Sequence, residues 1–178
     1  MSALKPTLHD HIRPGVQILF VGINPGIRSA RLGHHFAGYS NRFWKLLYDA
    51  RLVSEPLTYE EDWRLPEWRL GMTNIISRAS AGIEVLRPEE YRRGMAELEA
   101  KVRRYQPRFV AFLGVTIFRF LFPDQEARVL ALTSVRVADA QVFLLPNPSG
   151  RNAHYSYARM LNAFKALRLI VSRTVPSA

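Results

Sequence analysis

The sequence predicts a three-layer α/β/α fold in which a short, mostly parallel sheet lies between helices. Short apolar runs at 16–22, 109–114 and 141–145 each end at a glycine or before a proline, which is typical of buried parallel strands. Helical segments separate these runs, and the clearest of them, 88–105, is amphipathic. Strands that alternate with helices favour a parallel sheet with both faces covered.

Length and composition indicate one domain with a substantial core. The chain has 178 residues, of which 48% are hydrophobic, so we predict a single domain over 1–178 with its core over about 16–172. No apolar run is long enough to cross a membrane.

Net charge and the absence of cysteine restrict the classes of function. A formal net charge of +10 makes a nucleic-acid backbone a candidate partner, although a solvated basic surface would have the same charge. Without cysteine, the chain cannot form disulfides, thiolate nucleophiles or cysteine-ligated iron–sulfur clusters. The five histidines show no metal-binding spacing, so we predict neither a metal nor any other cofactor.

The first part of the chain is predicted to contain one strand, one long loop and one helix. The strand is the apolar run at 16–22. Segment 27–40 has too many glycines for a stable helix and too many aromatic residues for a passive linker, so we predict a functional loop. Asn41 is a suitable N-cap for a helix over about 42–51, whose apolar and aromatic residues fall on one face.

The middle of the chain is predicted to contain a second strand and the long amphipathic helix. Residues 52–68 are interrupted by prolines and predict a loop with a short helical turn, after which 70–76 predicts a strand. A further loop is predicted at 79–86. Pro88, followed by two glutamates, is a strong helix start, and the helix is expected to end before Pro107.

The last part of the chain completes the sheet. Run 109–114 is wholly apolar and predicts a central strand, and 115–122 predicts a short helix. An edge strand is predicted around 131–137, followed by the last core strand at 141–145. A final helix is expected over about 155–172.

Two polar turns are predicted to meet at one edge of this sheet. Asn24 follows the first strand in a turn stiffened by Pro25 and flanked by glycines, and residues 146–151 follow the last core strand. Because the carboxyl ends of parallel strands share the edge at which open α/β sheets bind ligands, we expect both turns to face one cleft. Either turn alone would also fit an ordinary strand-ending turn.

Six segments of the chain form an ordered set. They are Gly22-Ile23-Asn24-Pro25-Gly26, Gly33-His34-His35-Phe36, Asn41-Arg42-Phe43-Trp44-Lys45, Leu70-Gly71-Met72-Thr73-Asn74, Tyr105-Gln106-Pro107-Arg108 and Leu145-Pro146-Asn147-Pro148-Ser149-Gly150. In order and spacing this set resembles the mismatch-specific uracil/thymine-DNA glycosylases, a branch of the uracil-DNA glycosylase superfamily. The resemblance covers roughly residues 16–168, and the family's short parallel sheet between helices agrees with the fold predicted above.

The resemblance implies hydrolysis of the N-glycosidic bond of a uracil, or a thymine, opposite guanine. A base inside a duplex is unreachable, so such an enzyme swings the nucleotide into a pocket. By resemblance, Asn24 holds the attacking water and Thr73 helps to hold it, although a strand threonine can equally be structural. Because an amide is not a useful general base near neutral pH, we expect a slow enzyme that relies on positioning and on hydrogen bonds to the departing base anion.

The same resemblance assigns a base pocket to Ile23, Ser29, His35 and Phe36. Phe36 would stack on the flipped base, an interaction worth roughly 1–3 kcal/mol, and Ser29 would lie near the pyrimidine 5-substituent. His35 would contact the site or its phosphate, or be solvated like an ordinary loop histidine.

The resemblance also assigns Asn147, Ser149, Gly150 and Arg151 to an element that enters the duplex at the mismatch. Bacterial members often carry leucine where this chain has Arg151, which is similar to the animal thymine-DNA glycosylases. A leucine fills the vacated stack by apolar contact, whereas an arginine can also donate hydrogen bonds to the widowed guanine. This departure leaves the choice between uracil and thymine open.

The implied partner is double-stranded DNA with a G:U or G:T mismatch, and we expect a cytoplasmic monomer, associated with the nucleoid if the source is bacterial. Arginines near the cleft, such as Arg28, Arg31 and Arg42, could contact phosphates or be solvated. Two alternatives remain, a relative that removes another deaminated or damaged base and a non-catalytic DNA-binding domain of the same fold. A Rossmann-type nucleotide enzyme is excluded because the first turn lacks G-x-G-x-x-G.

Overall fold

A computed structural model describes residues 8–129 and 131–174 and shows a five-stranded sheet. Its strands are β1 (Ile18–Gly22), β2 (Leu70–Asn74), β3 (Phe109–Leu113), β4 (Leu132–Val137) and β5 (Ala140–Leu145). Their order is β2-β1-β3-β5-β4, and neighbours pair in parallel except β4 and β5, which are antiparallel. The predicted mostly parallel sheet and its edge strand are confirmed.

Helices cover both faces of this sheet. Within the described ranges they are α1 (Ile27–Leu32), α2 (Phe43–Asp49), α3 (Pro88–Tyr105), α4 (Val115–Leu121) and α5 (Tyr157–Thr174), with 3-10 helices at Tyr59–Trp68 and Ile83–Val85. Helices α2 and α5 share one apolar cluster with the sheet, and α3 and α4 share the other, which confirms the three-layer prediction. None of the helices described is long and apolar enough to span a membrane.

Strand β1 is buried along its whole length because helices lie on both of its faces. Leu19 and Val21 face the α3 and α4 layer, whereas Phe20 faces the other layer. The Phe20 ring packs edge-on against Phe43 at 5.3 Å and is stacked with Phe164 at 6.3 Å between ring centroids. Burying such a side chain stabilises the fold by roughly 1.5–3 kcal/mol, so β1 is a rigid support for the turn that follows it.

Helix α1 is the main departure from the predicted secondary structure. Residues 27–40 were expected to form a loop, but Ile27–Leu32 is helical and buries Ser29 and Ala30. The number of glycines in this segment led to the prediction of a loop. Gly33 in fact ends the helix, in the left-handed conformation with φ of +77°. The glycine is therefore a terminator of α1 and does not prevent its formation.

Helix α2 begins at Phe43, and its N-cap residue is Arg42 and not Asn41 as predicted. Asn41 Oδ1 accepts a hydrogen bond from the Phe43 N–H at 2.9 Å, so its side chain satisfies a free amide at the first turn. The preceding amide, Arg42 N–H, donates to the Pro148 carbonyl at 2.9 Å. The loop after β5 is thereby joined to the beginning of α2 at the carboxyl edge of the sheet.

Candidate active site

A cleft of about 570 Å³ opens at the carboxyl edge of the sheet, where the loops after β1, β2 and β5 meet. A volume of this size is ordinary for a small-molecule site. Both polar turns that were expected to share a cleft line it. The side chains in its lining include Ile23, Asn24, Ile27, Arg28, Ser29, Phe36, Tyr39, Asn41, Asn74, Ile83, Asn147, Ser149 and Arg151.

The Asn24 carboxamide is held by the loop that follows β2. Its Nδ2 donates to the Arg78 carbonyl at 3.0 Å and to Ser80 Oγ at 2.7 Å. The Ser80 hydroxyl donates its own proton to the Gly82 carbonyl at 2.6 Å, so it must act as an acceptor toward Asn24. These contacts fix which end of the amide is Nδ2. They leave Oδ1 as a hydrogen-bond acceptor in the cleft, and no described residue donates to it.

The carbonyl that holds Asn24 is itself anchored to α3. The Arg78 side chain donates from Nε and Nη2 to the Glu90 carboxylate at 2.8 and 2.9 Å. The hydrogen bonds from Arg78 and from the Arg87 N–H lower the pKa of Glu90 to about 2. Ser80 N–H also donates to the Pro25 carbonyl at 3.2 Å, so the two loops are joined on both sides of Asn24.

Phe36 forms the aromatic wall of the cleft. Its ring stacks on the buried ring of Phe43, with 4.5 Å between centroids and 30° between planes. Its φ of +51° is uncommon for a residue with a bulky side chain. A Cβ added to Gly22 would lie 3.6 Å from Phe36 Cζ, an ordinary van der Waals distance, so the ring lies directly beside the end of β1.

Residues 33–42, the Phe36 loop, form one lip of the cleft, and two side chains of α1 tie this loop to the floor of the cleft. Ser29 Oγ accepts a hydrogen bond from the Ala37 N–H at 3.0 Å, and Arg28 Nε donates to the Ala37 carbonyl at 2.7 Å. Ser29 therefore lines the cleft with its hydroxyl oxygen bound to the loop backbone. Arg28 is not the freely solvated arginine that the sequence allowed, because its guanidinium is bound to the same loop.

His35 is buried beside the cleft and does not line it. The residue is 2% exposed, and Nε2 lies 2.9 Å from the His9 carbonyl. Burial lowers the pKa of His35, and the hydrogen bond to His9 opposes this effect only in part. The structure therefore does not bring His35 to the base pocket. The solvated alternative is also wrong, because the segment around His9 covers the ring.

Asp62 lies behind the Phe36 loop and joins two distant segments of the chain to its own. Oδ1 is 3.2 Å from His11 Nε2 and 3.1 Å from His34 Nδ1, and Oδ2 accepts a hydrogen bond from the His35 N–H at 2.8 Å. Burial raises the pKa of Asp62, but the hydrogen bonds from these three donors outweigh it and bring the value to about 2. An ionised carboxylate thus fixes the residues that precede Phe36.

The last two residues of β2 point to different parts of the molecule. Thr73 is fully buried, and its hydroxyl donates to Asp10 Oδ1 at 2.7 Å and accepts from Lys101 Nζ of α3 at 3.0 Å. Asn74 lines the cleft and lies beside Gly22 in the parallel register. The geometry thus separates Thr73 from Asn24, contrary to the expected water-holding role, and places Asn74 in the cleft instead.

Strand alternation is the sequence signal that would have identified Asn74. Successive side chains of a strand face opposite sides, and Met72 packs with Phe20 in the α2 and α5 layer, so Thr73 must face α3. Asn74 follows at the strand end, where a Cβ on Gly22 would lie 2.5 Å from its Oδ1. No described residue forms a hydrogen bond with the Asn74 carboxamide, which leaves both of its ends available to a ligand.

The loop after β5 forms the opposite lip of the cleft. Asn147 Oδ1 accepts a hydrogen bond from the Ser149 N–H at 2.9 Å, and Ser149 Oγ accepts one from the Arg151 N–H at 3.2 Å. A Cβ on Gly150 would lie 2.5 Å from the Ser40 carbonyl oxygen, so the two lips touch at this glycine. The Arg151 side chain is exposed and contacts no described hydrogen-bond or ion-pair partner.

The chemical character of the cleft is set by amides, an aromatic wall and positive charge. Within the described part of the chain, its lining contains no carboxylate and no lysine, and its charged side chains are Arg28 and Arg151. The lining therefore offers no carboxylate for proton transfer and no amine for a Schiff base. Among the described residues, no group of three or more histidine, aspartate or glutamate side chains is placed to hold a metal ion.

Comparison with known proteins identifies the family. Residues 9–168 match the uracil DNA glycosylase superfamily. A solution NMR structure of a Methanosarcina acetivorans protein, proposed to be a uracil DNA glycosylase, is similar with a TM-score of 0.59 and 17% sequence identity. The similarity covers 92% of this chain and 98% of that one, and at this identity it supports the fold. Because the family match spans most of the sequence, the chain belongs to the uracil DNA glycosylase superfamily.

Proposed function

We propose that this protein is a monofunctional, mismatch-specific DNA glycosylase of the uracil/thymine branch. It would hydrolyse the N-glycosidic bond of uracil, or of thymine, opposite guanine in duplex DNA and leave an abasic site. Superfamily membership supports DNA glycosylase activity in general. The observation that carries the proposal further is the fixed Asn24 carboxamide, whose oxygen lies in the cleft and accepts no hydrogen bond from the described residues. We expect it to act in the cytoplasm as a monomer without a cofactor.

Asn24 would position the attacking water. Its Oδ1 can accept one hydrogen bond from a water molecule, and the contacts of Nδ2 with Arg78 and Ser80 oppose rotation of the amide. A water held this way has a lone pair free to form a bond with C1′ as the bond between C1′ and the base breaks. The amide does not take up the proton of that water, which passes to solvent, and so the enzyme is expected to be slow.

The absence of an acid from the described lining restricts the substrate. The electron pair of the breaking bond must leave on the base, which takes up a proton from solvent afterwards. Uracil and thymine support such an anion because two ring carbonyls share the charge. Asn74 lines the cleft, and its carboxamide, which has no hydrogen-bond partner among the described residues, can donate to a base oxygen while accepting from a ring N–H.

Residues on both lips of the cleft would contribute to base flipping. Phe36 offers a ring face on which the flipped base can stack, and stacking of this kind is worth roughly 1–3 kcal/mol. Arg151, exposed on the opposite lip, can fill the vacated position and donate to the acceptors of the unpaired guanine. A mismatched base costs least to unstack, which favours a mismatch over an ordinary pair.

A single-turnover excision assay tests this proposal. End-labelled duplexes would carry G·U, G·T or A·U pairs, with single-stranded uracil alongside, and alkali would convert abasic sites into breaks. We expect wild-type protein to excise uracil from G·U, with breaks only after alkali because the described lining lacks a Schiff-base lysine. Asn24→Ala should lower the rate by about 100-fold or more, because the water loses its position.

Asn162→Ala is the matched control. Asn162 lies on α5 outside the cleft, so its removal should leave excision unchanged. Unchanged single-turnover rates in Asn24→Ala would remove that residue from the mechanism. DNA binding without excision of any pyrimidine lesion would reject the proposed substrate and favour another damaged base or a non-catalytic role.

A further inference from the structure

Tyr39 lies at the mouth of the cleft and is 90% exposed. The guanidinium of Arg28 covers one face of its ring, with Cζ 3.8 Å from the ring centroid. Arg28 Nη1 also donates to the Tyr39 hydroxyl at 2.8 Å, while Nε donates to the Ala37 carbonyl at 2.7 Å. The ring is therefore held by two contacts with an arginine that is itself anchored, and its exposure shows that the other face is open.

The position of Tyr39 relates it to both lips of the cleft. It follows Phe36 by three residues, and its neighbour Ser40 packs closely against Gly150. The Asn41 N–H donates to the Gly38 carbonyl at 3.0 Å and closes a tight turn around Tyr39. The tyrosine thus lies between the aromatic wall and the loop that carries Arg151, where a strand with a flipped nucleotide would pass.

Isolated exposed aromatic residues are common and need no function. Tyr39 differs because a large planar side chain is oriented at the mouth of a cleft whose charged lining is positive. When a nucleotide leaves the duplex, the base next to it loses a stacking partner on one side. An open aromatic face can replace that partner, and a guanidinium beneath the ring adds positive charge near the flanking phosphate.

We propose that Tyr39 is a stacking platform for the base next to the flipped nucleotide on the same strand, and that Arg28 orients it. The proposal deepens the glycosylase function proposed above and rests on it. Tyr39 would contribute to DNA binding and not to the bond-breaking step, because Asn24 and Asn74 hold the positions nearer the sheet. Its contribution should depend on the presence of the neighbouring base and not on which base is excised.

Binding to an uncleavable duplex tests the platform separately from catalysis. Fluorescence anisotropy would give the dissociation constant for a G·U duplex in which the uridine is a 2′-fluoro analogue. Tyr39→Ala should raise this constant roughly 5- to 150-fold, the range expected for loss of one stacked base. Tyr39→Phe keeps the ring and should bind nearly as well as wild type. Tyr48→Ala, which removes an exposed tyrosine outside the cleft, is the control and should bind like wild type.

A second set of duplexes identifies the base involved. Replacing the nucleotide on the 5′ or the 3′ side of the uridine by an abasic analogue removes one neighbouring base at a time. On one side this replacement should weaken wild-type binding about as much as Tyr39→Ala does, and should cause no further loss in the variant. Additive losses on both sides, or wild-type binding by Tyr39→Ala, would overturn the platform. Equal losses in Tyr39→Ala and Tyr39→Phe would also overturn it, because the ring face would not be the contact.

Wild-type excision on the cleavable G·U duplex separates the two proposals. Excision with unaltered binding by Tyr39→Ala would reject the platform alone. Absence of excision in wild type would reject the proposed function, whatever the binding of the variant.

Discussion

The loop that carries Phe36 and the loop that follows β5 face each other across the cleft, and they are held by different kinds of contact. The Phe36 loop is tied to residues distant in the chain, above all to the buried carboxylate of Asp62. The other loop is held largely by its own short-range hydrogen bonds, such as those of Asn147 and Ser149, with the Arg42 amide as one outside donor.

This difference fits the parts that the two lips would play. Binding of a base costs least free energy when the loop that receives it is already ordered. Contacts behind the loop provide that order. A loop that enters DNA must fit a duplex that bends around it, and short-range hydrogen bonds keep its local shape while the loop as a whole can shift. The exposed Arg151 side chain, which contacts no described polar partner, is consistent with such adjustment.

Removal of Asp62 should have the largest effect. Asp62→Ala leaves the buried His35 N–H and two partly exposed imidazoles without their acceptor, and we expect the free energy of unfolding to fall by roughly 3 kcal/mol. Ser149→Ala, which removes one short-range acceptor from the opposite lip, should cost about 1 kcal/mol or less. Urea denaturation of both variants measures the comparison.

Asp62→Asn protects this test against a variant that does not fold. It keeps the shape of the side chain and one acceptor oxygen, so it should lie between wild type and Asp62→Ala in stability. Equal losses in Asp62→Ala and Ser149→Ala would contradict the view that the two lips are supported differently.

Two glycines allow the same substitution to be made at the end of β1, beside Phe36, and on the lip that follows β5. A Cβ on Gly22 would meet Asn74 Oδ1 at 2.5 Å within the sheet, whereas a Cβ on Gly150 would meet the Ser40 carbonyl at 2.5 Å between two loops. Because the Asn74 carboxamide can rotate away whereas a Cβ on Gly150 also meets the Ser40 Cβ at 2.4 Å, Gly150→Ala should lower the free energy of unfolding by roughly 1–3 kcal/mol and Gly22→Ala by less.

The same two variants should differ in whether the excision rate or the DNA affinity falls more. Gly22→Ala displaces the Asn74 carboxamide, so we expect its single-turnover rate to fall more than its DNA affinity. Gly150→Ala moves the Arg151 loop, so we expect the opposite order. A pair of variants with indistinguishable rates and affinities would contradict the separate roles of the lips.

Local sequence patterns predict much of the fold, but they do not predict all the residues that form and support the cleft. Helix α3 follows from Pro88 and its amphipathic spacing, whereas α1 is missed when Gly33 is counted against a helix that it in fact ends. Strand alternation is enough to predict that Asn74, and not Thr73, lines the cleft. The role of Asp62 could not be predicted in this way, because even the nearest residues it holds lie 27 and 28 positions away and become its neighbours only once the chain folds.

Acid should lower the free energy of unfolding through His35, which supports the Phe36 loop. Burial lowers the pKa of His35 from its usual value of 6.5, so the unfolded chain takes up a proton below about pH 6.5 while the folded chain does so only at lower pH. The unfolded state then binds more protons, and stability falls as the pH decreases. The charged or titratable groups that face His35 are His11, Asp10 and Asp62. The pKa of Asp62 is about 2, so its contribution to stability is fully present above about pH 4 and is lost progressively as the pH falls from there through 2.

Urea denaturation near pH 7.5 and near pH 5.5 isolates this effect, because Asp62 stays ionised at both values. Wild type should lose stability on acidification, and His35→Gln should lose less because the titrating ring is gone. His154→Gln, at an exposed position, should follow wild type. The opposite lip, 146–151, carries only Arg151 as an ionisable side chain, which stays charged throughout. The quantity to compare is the change in the free energy of unfolding between the two pH values. The absolute values do not serve, because loss of the buried ring in His35→Gln lowers stability at any pH. Equal changes in wild type and His35→Gln would mean that His35 is not the group through which acid acts.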